Sequence, residues 1–269
     1  MDLEEIRSIQ DETEQVNRTY DFFNEETRLT HSRAARVEFL TTTRYIEQYV
    51  KPGMRILDIG AGPGEYSFYF AEKGYEVNAL ELADANVSAF RKRMRPGLPL
   101  TLLQGNALDL SAYADESFDA VLVFGPLYHL HEEKDRRRCI EEACRVCKKE
   151  GTLFFSFIGH DMVFMSELRY DGEYFSTGDY EHESFRLHDF PFVFFTVSEA
   201  RQMLIDGGIE LLREVASDGA SELMAPEINA MSEESWRQYL GYHFYRCEKP
   251  ELLGMSNHLL FVGRKKERQ

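Results

Sequence analysis

From Met54 to Ile158 short apolar runs alternate with longer stretches whose apolar positions recur at helical spacing. RILDIG, EVNALEL, LTLLQG, FDAVLVFG and GTLFFSFI read as strands, while EYSFYFAEKG, DANVSAFRKRM and the stretch over 134–148 read as helices. A helix between successive strands carries the chain back to the same edge, which brings the strands together in parallel. The pattern therefore predicts an α/β, doubly wound, mostly parallel sheet with helices on both faces. Ahead of it, the polar segment 1–32 is interrupted at Tyr20, Phe22 and Phe23, and Phe39, Thr43, Ile46 and Val50 follow at helical spacing until Pro52-Gly53 stops them. After Ile158 the rhythm breaks. Residues 159–195 are crowded with aromatics from Phe164 to Phe195, and regularity returns at the capping box Thr196 to Glu199, a helix and the strand IELLREV. A second irregular stretch, 217–255, holds a helix around Glu233 to Cys247 and precedes a last strand, HLLFVGRKK. The expected organisation is an N-terminal helical lid segment over 1–50 and one domain over 51–269, with 159–195 and 217–255 as lid and acceptor insertions. Their aromatics form either the lid's own small core or a recognition surface.

Length and composition narrow the function. With 269 residues and 43% hydrophobic against 29% charged positions, the chain has enough apolar surface for a large globular core. Its 47 acidic residues outnumber 31 basic ones, a formal charge of −16 that repels phosphate backbones, so nucleic acid is not expected as a partner. The dense basic runs at 91–95, 136–138 and 264–266 fall on helices or near the C-terminus, where solvated faces account for them. No apolar run reaches the roughly 18 residues of a membrane span, and the acidic start MDLEEIRSIQDETEQ is unlike a signal peptide. A cytoplasmic location without membrane association is expected. Cys139, Cys144 and Cys147 crowd into nine residues. Ile140, Cys144 and Cys147 share a helical stripe, so small core residues are expected rather than cluster ligands or disulfides.

The densest chemistry lies in ILDIGAGPGEYS, where a strand ends at Asp58 and the chain turns through Gly60, Gly62 and Gly64 into a helix. In a doubly wound sheet this turn faces the crevice where nucleotide-like ligands lie. The spacing G-x-G-x-G differs from the dinucleotide fingerprint G-x-G-x-x-G, and the acid at Asp58 suits an ammonium or hydroxyls better than phosphates. Glu81 ends the second strand, Asn106-Ala107 follows the third, and Phe124 ends the fourth.

Together these motifs resemble the class I S-adenosylmethionine-dependent methyltransferases. The resemblance covers about 53–158, 196–215 and 256–265, and implies a seven-stranded, Rossmann-like sheet with S-adenosylmethionine as cofactor. It implies a cofactor site built from Asp58, Gly60, Ala61, Gly62, Gly64, Glu81, Leu82, Asn106, Ala107 and Phe124, with Glu81 accepting the ribose hydroxyls and Asn106 offering an acceptor beside the adenine. The helix, turn and strand over 141–156 resemble the family's Lys-Pro-Gly-Gly type turn, with Lys149 and Glu150 replacing Pro and the first Gly. Arg28 and Arg36 are candidates for the methionine carboxylate, against solvated helix faces.

A sulfonium is already an activated methyl donor, so alignment and exclusion of water are the main tasks, and a base is needed only for acceptors that must lose a proton. Tyr128 and His129 follow the fourth strand on the crevice side, and His129 is the first candidate base, with His160-Asp161 the second. Gly125 stands where the related Asn/Asp-Pro-Pro-Tyr motif has a polar residue, which disfavours nucleic-acid base methylation. No His-rich or carboxylate-rich spacing suits a metal, and none is expected. The expected function is methyl transfer to a small-molecule acceptor, aromatic or amine. Methylation of RNA or protein, and non-catalytic binding of S-adenosylmethionine, stand as alternatives.

Overall fold

The computed structural model describes residues 3–9, 11–22 and 25–266. Phe23, one of the aromatics noted near the N-terminus, lies outside them. Two short N-terminal helices, α1 (Leu3–Arg7) and α2 (Glu12–Phe22), precede α3 (Arg33–Ile46). Ser32 starts α3 by accepting the amide of Ala35 at 3.2 Å, satisfying a donor that the first turn leaves without an intrahelical partner. The alternating region then runs β1 (Arg55–Ile59), α4 (Glu65–Glu72), β2 (Glu76–Glu81), α5 (Asp84–Arg93), β3 (Leu100–Gln104), β4 (Phe118–Val123), α6 (Pro126–His129), α7 (Glu133–Val146) and β5 (Cys147–Gly159).

The insertion that follows is more ordered than its composition suggests. It forms α8 (His160–Tyr170), α9 (Tyr174–Thr177), a small antiparallel pair of β6 (Tyr180–Glu181) and β7 (Arg186–Leu187), and β8 (Phe194–Phe195), which adds in parallel to the end of β5. Phe164, Tyr180 and Leu187 bury against one another as its own core. The chain closes with α10 (Val197–Asp206), β9 (Ile209–Ala216), α11 (Ala225–Asn229), α12 (Glu233–Arg246) and β10 (His258–Lys265).

The strand order is β3-β2-β1-β4-β5-β10-β9, with β8 beside β5. Pairing is parallel from β3 through β5, and β10 enters antiparallel between β5 and β9. The mostly parallel seven-stranded α/β sheet is thus present. Apolar clusters cover both faces: α3, α4 and α5 contribute Ile46, Phe70 and Phe90 on one side, while α7 and α10 contribute Ile140, Ala143 and Leu204 on the other. At β1 the chain order reverses, and Ile59, Glu81 and Val123 end beside one another there, the location at which open α/β sheets bind ligands. Among the described residues no helix is long and apolar enough to cross a membrane.

Two expectations change in detail. The cysteine stripe is not one helix face: Cys139, Ile140, Ala143 and Val146 form the buried side of α7, Cys144 is half-buried, and Cys147 is the first residue of β5. The expected turn over 148–151 is a bulge inside β5, where pairing with β4 jumps from Phe118–Cys147 to Ala120–Thr152. Gly151 is required in it, because a Cβ there would stand 2.5 Å from Cys147 Sγ. Burial pushes the thiols of Cys139 and Cys147 up to about 12 and that of Cys144 up to about 11, so all three stay protonated and behave as small apolar side chains. The second insertion anchors the N-terminal segment: Ile228 and Trp236 bury against Ala34 and Val37 of α3, and Asn229 Oδ1 accepts the Ala34 amide at 3.0 Å.

Candidate active site

The three loop glycines do different work. Gly60 has φ +75°, and a Cβ there would lie 2.7 Å from Pro126 Cδ and 2.9 Å from the Phe124 carbonyl, so the loop packs directly on the end of β4. A Cβ on Gly64, φ +95°, would strike the rings of Phe90 and Phe68 within 2.8 Å. Gly62, φ +56°, has nothing within 4 Å of its Cβ direction and faces open space. The first and third glycines let the backbone close up, and the middle one keeps a cradle empty.

Glu81 fixes that cradle. Its Oε2 accepts the Gly62 amide at 2.7 Å, and its Oε1 accepts the Ala83 amide at 2.8 Å and the Asn86 side-chain amide at 3.4 Å. Burial raises its carboxyl, and these donors pull it back toward the charged form. A carboxylate has about four acceptor sites, so capacity for ribose hydroxyls remains. Asp58 sits beneath the loop, 1% exposed. Its Oδ2 accepts the Ser67 hydroxyl at 2.6 Å, while its Oδ1 is buried without a partner. Burial pushes its carboxyl up to about 7, opposed by the Ser67 bond and helped by the nearby charge of Glu81.

Two cavities flank the loop. One, of about 90 Å³, is lined by Glu81, Leu82, Asn106, Ala107, His129 and Leu130. The other, of about 60 Å³, runs along Gly60 to Pro63 toward Arg28, Glu38, Tyr66, Phe124 and Tyr128. Gly60 and Tyr20 line both, so Tyr20 of α2 stands between them. Helix α2 is docked there by Asn17 Oδ1, which accepts the Asp84 amide at 2.8 Å, and by a 2.7 Å hydrogen bond between the Tyr20 hydroxyl and His129 Nε2. Of the ten residues that the sequence assigns to the cofactor, Asp58 and Gly64 line neither cavity and support the loop from below; the other eight line one or both.

Several individual expectations shift. Asn106 Oδ1 accepts the Leu108 amide at 2.9 Å, a local turn, so its side-chain NH2 is the group left to face the cavity. Tyr128 and His129 separate: Tyr128 lines the second cavity, whereas His129 lines the first and packs 5.2 Å from the Phe192 ring. Burial drives the His129 imidazole down to about 3 and pushes the Tyr128 phenol up, so both are neutral at physiological pH. His160 is buried at the start of α8, with Nδ1 2.9 Å from Asp161 Oδ1 and Nε2 accepting the Leu187 amide at 3.2 Å. It ties the first insertion together and lines neither cavity. Among the insertion's aromatics from Phe164 to Phe195, none lines either cavity, and Phe164 and Tyr180 instead bury with Leu187 in the insertion's own cluster.

Arg36 is exposed, but Arg28 is not the solvated residue that its polar neighbourhood suggests. It lines the second cavity and donates to Glu25 Oε2 at 2.8 Å and to Glu38 Oε2 at 2.6 Å. Glu38 in turn lies 3.4 Å from His258 Nδ1, which is 2.8 Å from Asp218 Oδ2. Sequence reasoning missed this group, because Glu38, Asp218 and His258 come from α3, the loop after β9 and the start of β10. Their donor atoms all lie within 4.8 Å of one another, close enough to hold a metal ion. The positive charge at this point is already supplied by the Arg28 guanidinium and by His258, which its carboxylate neighbours hold in the charged form.

Residues 57–155 match the family described as a methyltransferase domain. A Bacillus subtilis methyltransferase, YqeM, is 32% identical over 114 residues, 42% of this chain and 46% of its own. The ubiquinone biosynthesis O-methyltransferase of Hahella chejuensis is 28% identical over 60% of this chain and 63% of its own. The chain spans about half the length of the curated relatives it matches first. In fold it resembles the magnesium protoporphyrin IX methyltransferase of Synechocystis PCC 6803, solved with bound S-adenosylhomocysteine, with a TM-score of 0.58 at 13% identity over 95% of this chain and 100% of the other. The family match begins inside β1 and ends inside β5, so it takes in the glycine loop, Glu81 and Asn106 around which both cavities are built, and over that segment the chain is similar to the S-adenosylmethionine-dependent methyltransferases.

Proposed function

We propose that this protein transfers the methyl group of S-adenosylmethionine to a small-molecule acceptor, aromatic or amine. The observation that carries the reading is the Gly62 cradle: an amide fixed by buried Glu81, a Cβ direction that is empty, and a cavity on either side of the loop. The side-chain NH2 of Asn106 beside it fits a ligand with a purine ring, and Asp58 supports the loop from below. When bound, the cofactor supplies an electrophilic methyl on a sulfonium.

The chain's own residues then bind and enclose. Leu82, Ala107 and Leu130 offer apolar contact to a purine in the first cavity, Glu81 takes the ribose hydroxyls, and Arg28 takes the amino-acid carboxylate in the second. Phe124 and Tyr128 border the second cavity, where an acceptor would meet the methyl group. Tyr128 keeps its proton and orients the acceptor through its hydroxyl, and His129 acts through Tyr20 by holding α2 closed. This assigns α2 the lid role, with water excluded when it docks.

A small acceptor is favoured over RNA or protein because the basic runs are engaged locally. Arg93 and Arg95 pair with Glu65 and Glu72, and Arg137 pairs with Glu133. The relatives point the same way, since one is named for ubiquinone biosynthesis and another for a porphyrin. The free, protonated thiols fit a reducing, cytoplasmic setting. The reading is tested by titrating Gly62→Val and Glu81→Ala with S-adenosylmethionine. Both lose affinity if the cradle is the cofactor site, and wild-type affinity in both would remove the assignment.

A further inference from the structure

The second cavity ends in charges that alternate: Glu25, Arg28, Glu38, His258 and Asp218. Each nitrogen of Arg28 already donates to a carboxylate, Nε to Glu25 and the two terminal nitrogens together to Glu38 at 2.6 and 3.3 Å, so the bidentate end of the guanidinium is taken by Glu38. A carboxylate that pairs with that end in two-bond geometry must draw the guanidinium away from Glu38. Glu38 is nearly buried, its side chain 11% exposed, and a buried carboxylate left without a counter-ion is strongly unfavourable. A second cation stands beside that carboxylate: His258 Nδ1 lies 3.4 Å from the same Glu38 oxygen that Arg28 binds.

His258 is itself fixed from the far side. Asp218 accepts from its ring nitrogen at 2.8 Å and from its backbone amide at 3.1 Å, and the Ser256 hydroxyl donates to the same carboxylate. Ser256 in turn accepts the Gly219 amide at 2.9 Å. The loop after β9 and the start of β10 thus hold an imidazolium behind Glu38, and His258 itself lines neither cavity.

We propose that His258 and Asp218 are positioning residues for the amino-acid end of the cofactor: they keep Glu38 neutralised so that Arg28 is free to turn to the ligand carboxylate. This rests on the cofactor reading above and adds residues outside the family's matched segment, 57–155. A neutral side chain at 258 leaves Arg28 as the sole counter-ion of Glu38, and the guanidinium stays where it is. Only ligands with an amino-acid end feel the change.

The test is calorimetric titration of the full chain with S-adenosylhomocysteine and, separately, with adenosine, which lacks that end. His258→Gln is expected to weaken S-adenosylhomocysteine about tenfold or more while adenosine stays within about twofold. Asp218→Asn should give a smaller loss in the same direction. Adding Glu38→Gln to His258→Gln removes the stranded carboxylate and should recover most of the affinity. Parallel weakening of both ligands in either single variant, or no weakening of S-adenosylhomocysteine, would overturn the proposal. A wild-type protein that binds neither ligand would instead remove the cofactor reading.

Discussion

The hydroxyl of Tyr20 and Nε2 of His129 are 2.7 Å apart, and this hydrogen bond joins the N-terminal helix α2 to the turn after β4. Because His129 is held near pH 3 by burial, the bond is between neutral groups across the working range of pH. A neutral hydrogen bond contributes about 1 kcal/mol, and its loss leaves a buried nitrogen without a partner. Tyr20→Phe should therefore speed amide hydrogen exchange in α2 and leave the sheet's exchange unchanged. His129→Ala should raise the dissociation constant of the cofactor more than it lowers turnover of bound substrate. A selective loss of turnover, with binding intact, would make His129 the base that its position in the chain first suggests.

The loop glycines should separate by phenotype. Gly60→Ala and Gly64→Ala place a methyl within 2.9 Å of the Phe124 carbonyl or of aromatic rings, at positive φ, and should lower the melting temperature. Gly62→Val meets no atom within 4 Å. Its strain should cost about 1–2 kcal/mol, the left-handed penalty alone, while ligand affinity falls by tenfold or more. Equal melting losses at all three positions would show that the empty cradle has no special role.

Glu81→Ala removes the acceptor of two backbone amides, Gly62 and Ala83. The protein should remain folded by circular dichroism, with S-adenosylmethionine affinity reduced at least tenfold. Glu81→Gln keeps an oxygen for one amide and should fall between the two.

His258 gives a pH signature. Burial lowers its affinity for a proton, but Glu38 and Asp218 more than compensate, raising the imidazole from its ordinary 6.5 to about 9. The folded state then binds the proton more tightly than the unfolded chain, so the stabilisation is complete below about 6.5 and is lost as pH rises through about 9. Arg28, the other charge facing this group, opposes the shift and stays charged throughout. The difference corresponds to about 3 kcal/mol at about 1.4 kcal/mol per pH unit. Thermal melts should show the wild type losing stability between pH 7 and 9.5 relative to His258→Gln, and parallel curves would contradict the assignment.

What the sequence made legible was local in the chain. Gly60, Gly62 and Gly64, Glu81 and Asn106 each follow a strand directly, and parallel strands in this order must end side by side, so their meeting could be read before the fold was known. The turn geometry of Asn106 could not, because its oxygen is claimed by the Leu108 amide two residues on. The placement of His129 depends on which side of α6 helix α2 covers, a packing fact with no local signal. The Glu38, Asp218 and His258 group depends on β10 entering antiparallel between β5 and β9 and on α3 docking against α11, which brings three distant segments together. Arg28 looked solvated for the same reason: its partner Glu38 lies on an adjacent helix whose buried face only the second insertion defines.

The central claim is that the crevice at the glycine loop binds S-adenosylmethionine. Calorimetric titration of the purified chain with S-adenosylmethionine, S-adenosylhomocysteine and NAD tests it in one set of measurements. The account predicts micromolar binding of the two sulfur ligands and none of NAD. Binding of NAD without either sulfur ligand would contradict it and make the site a dinucleotide site.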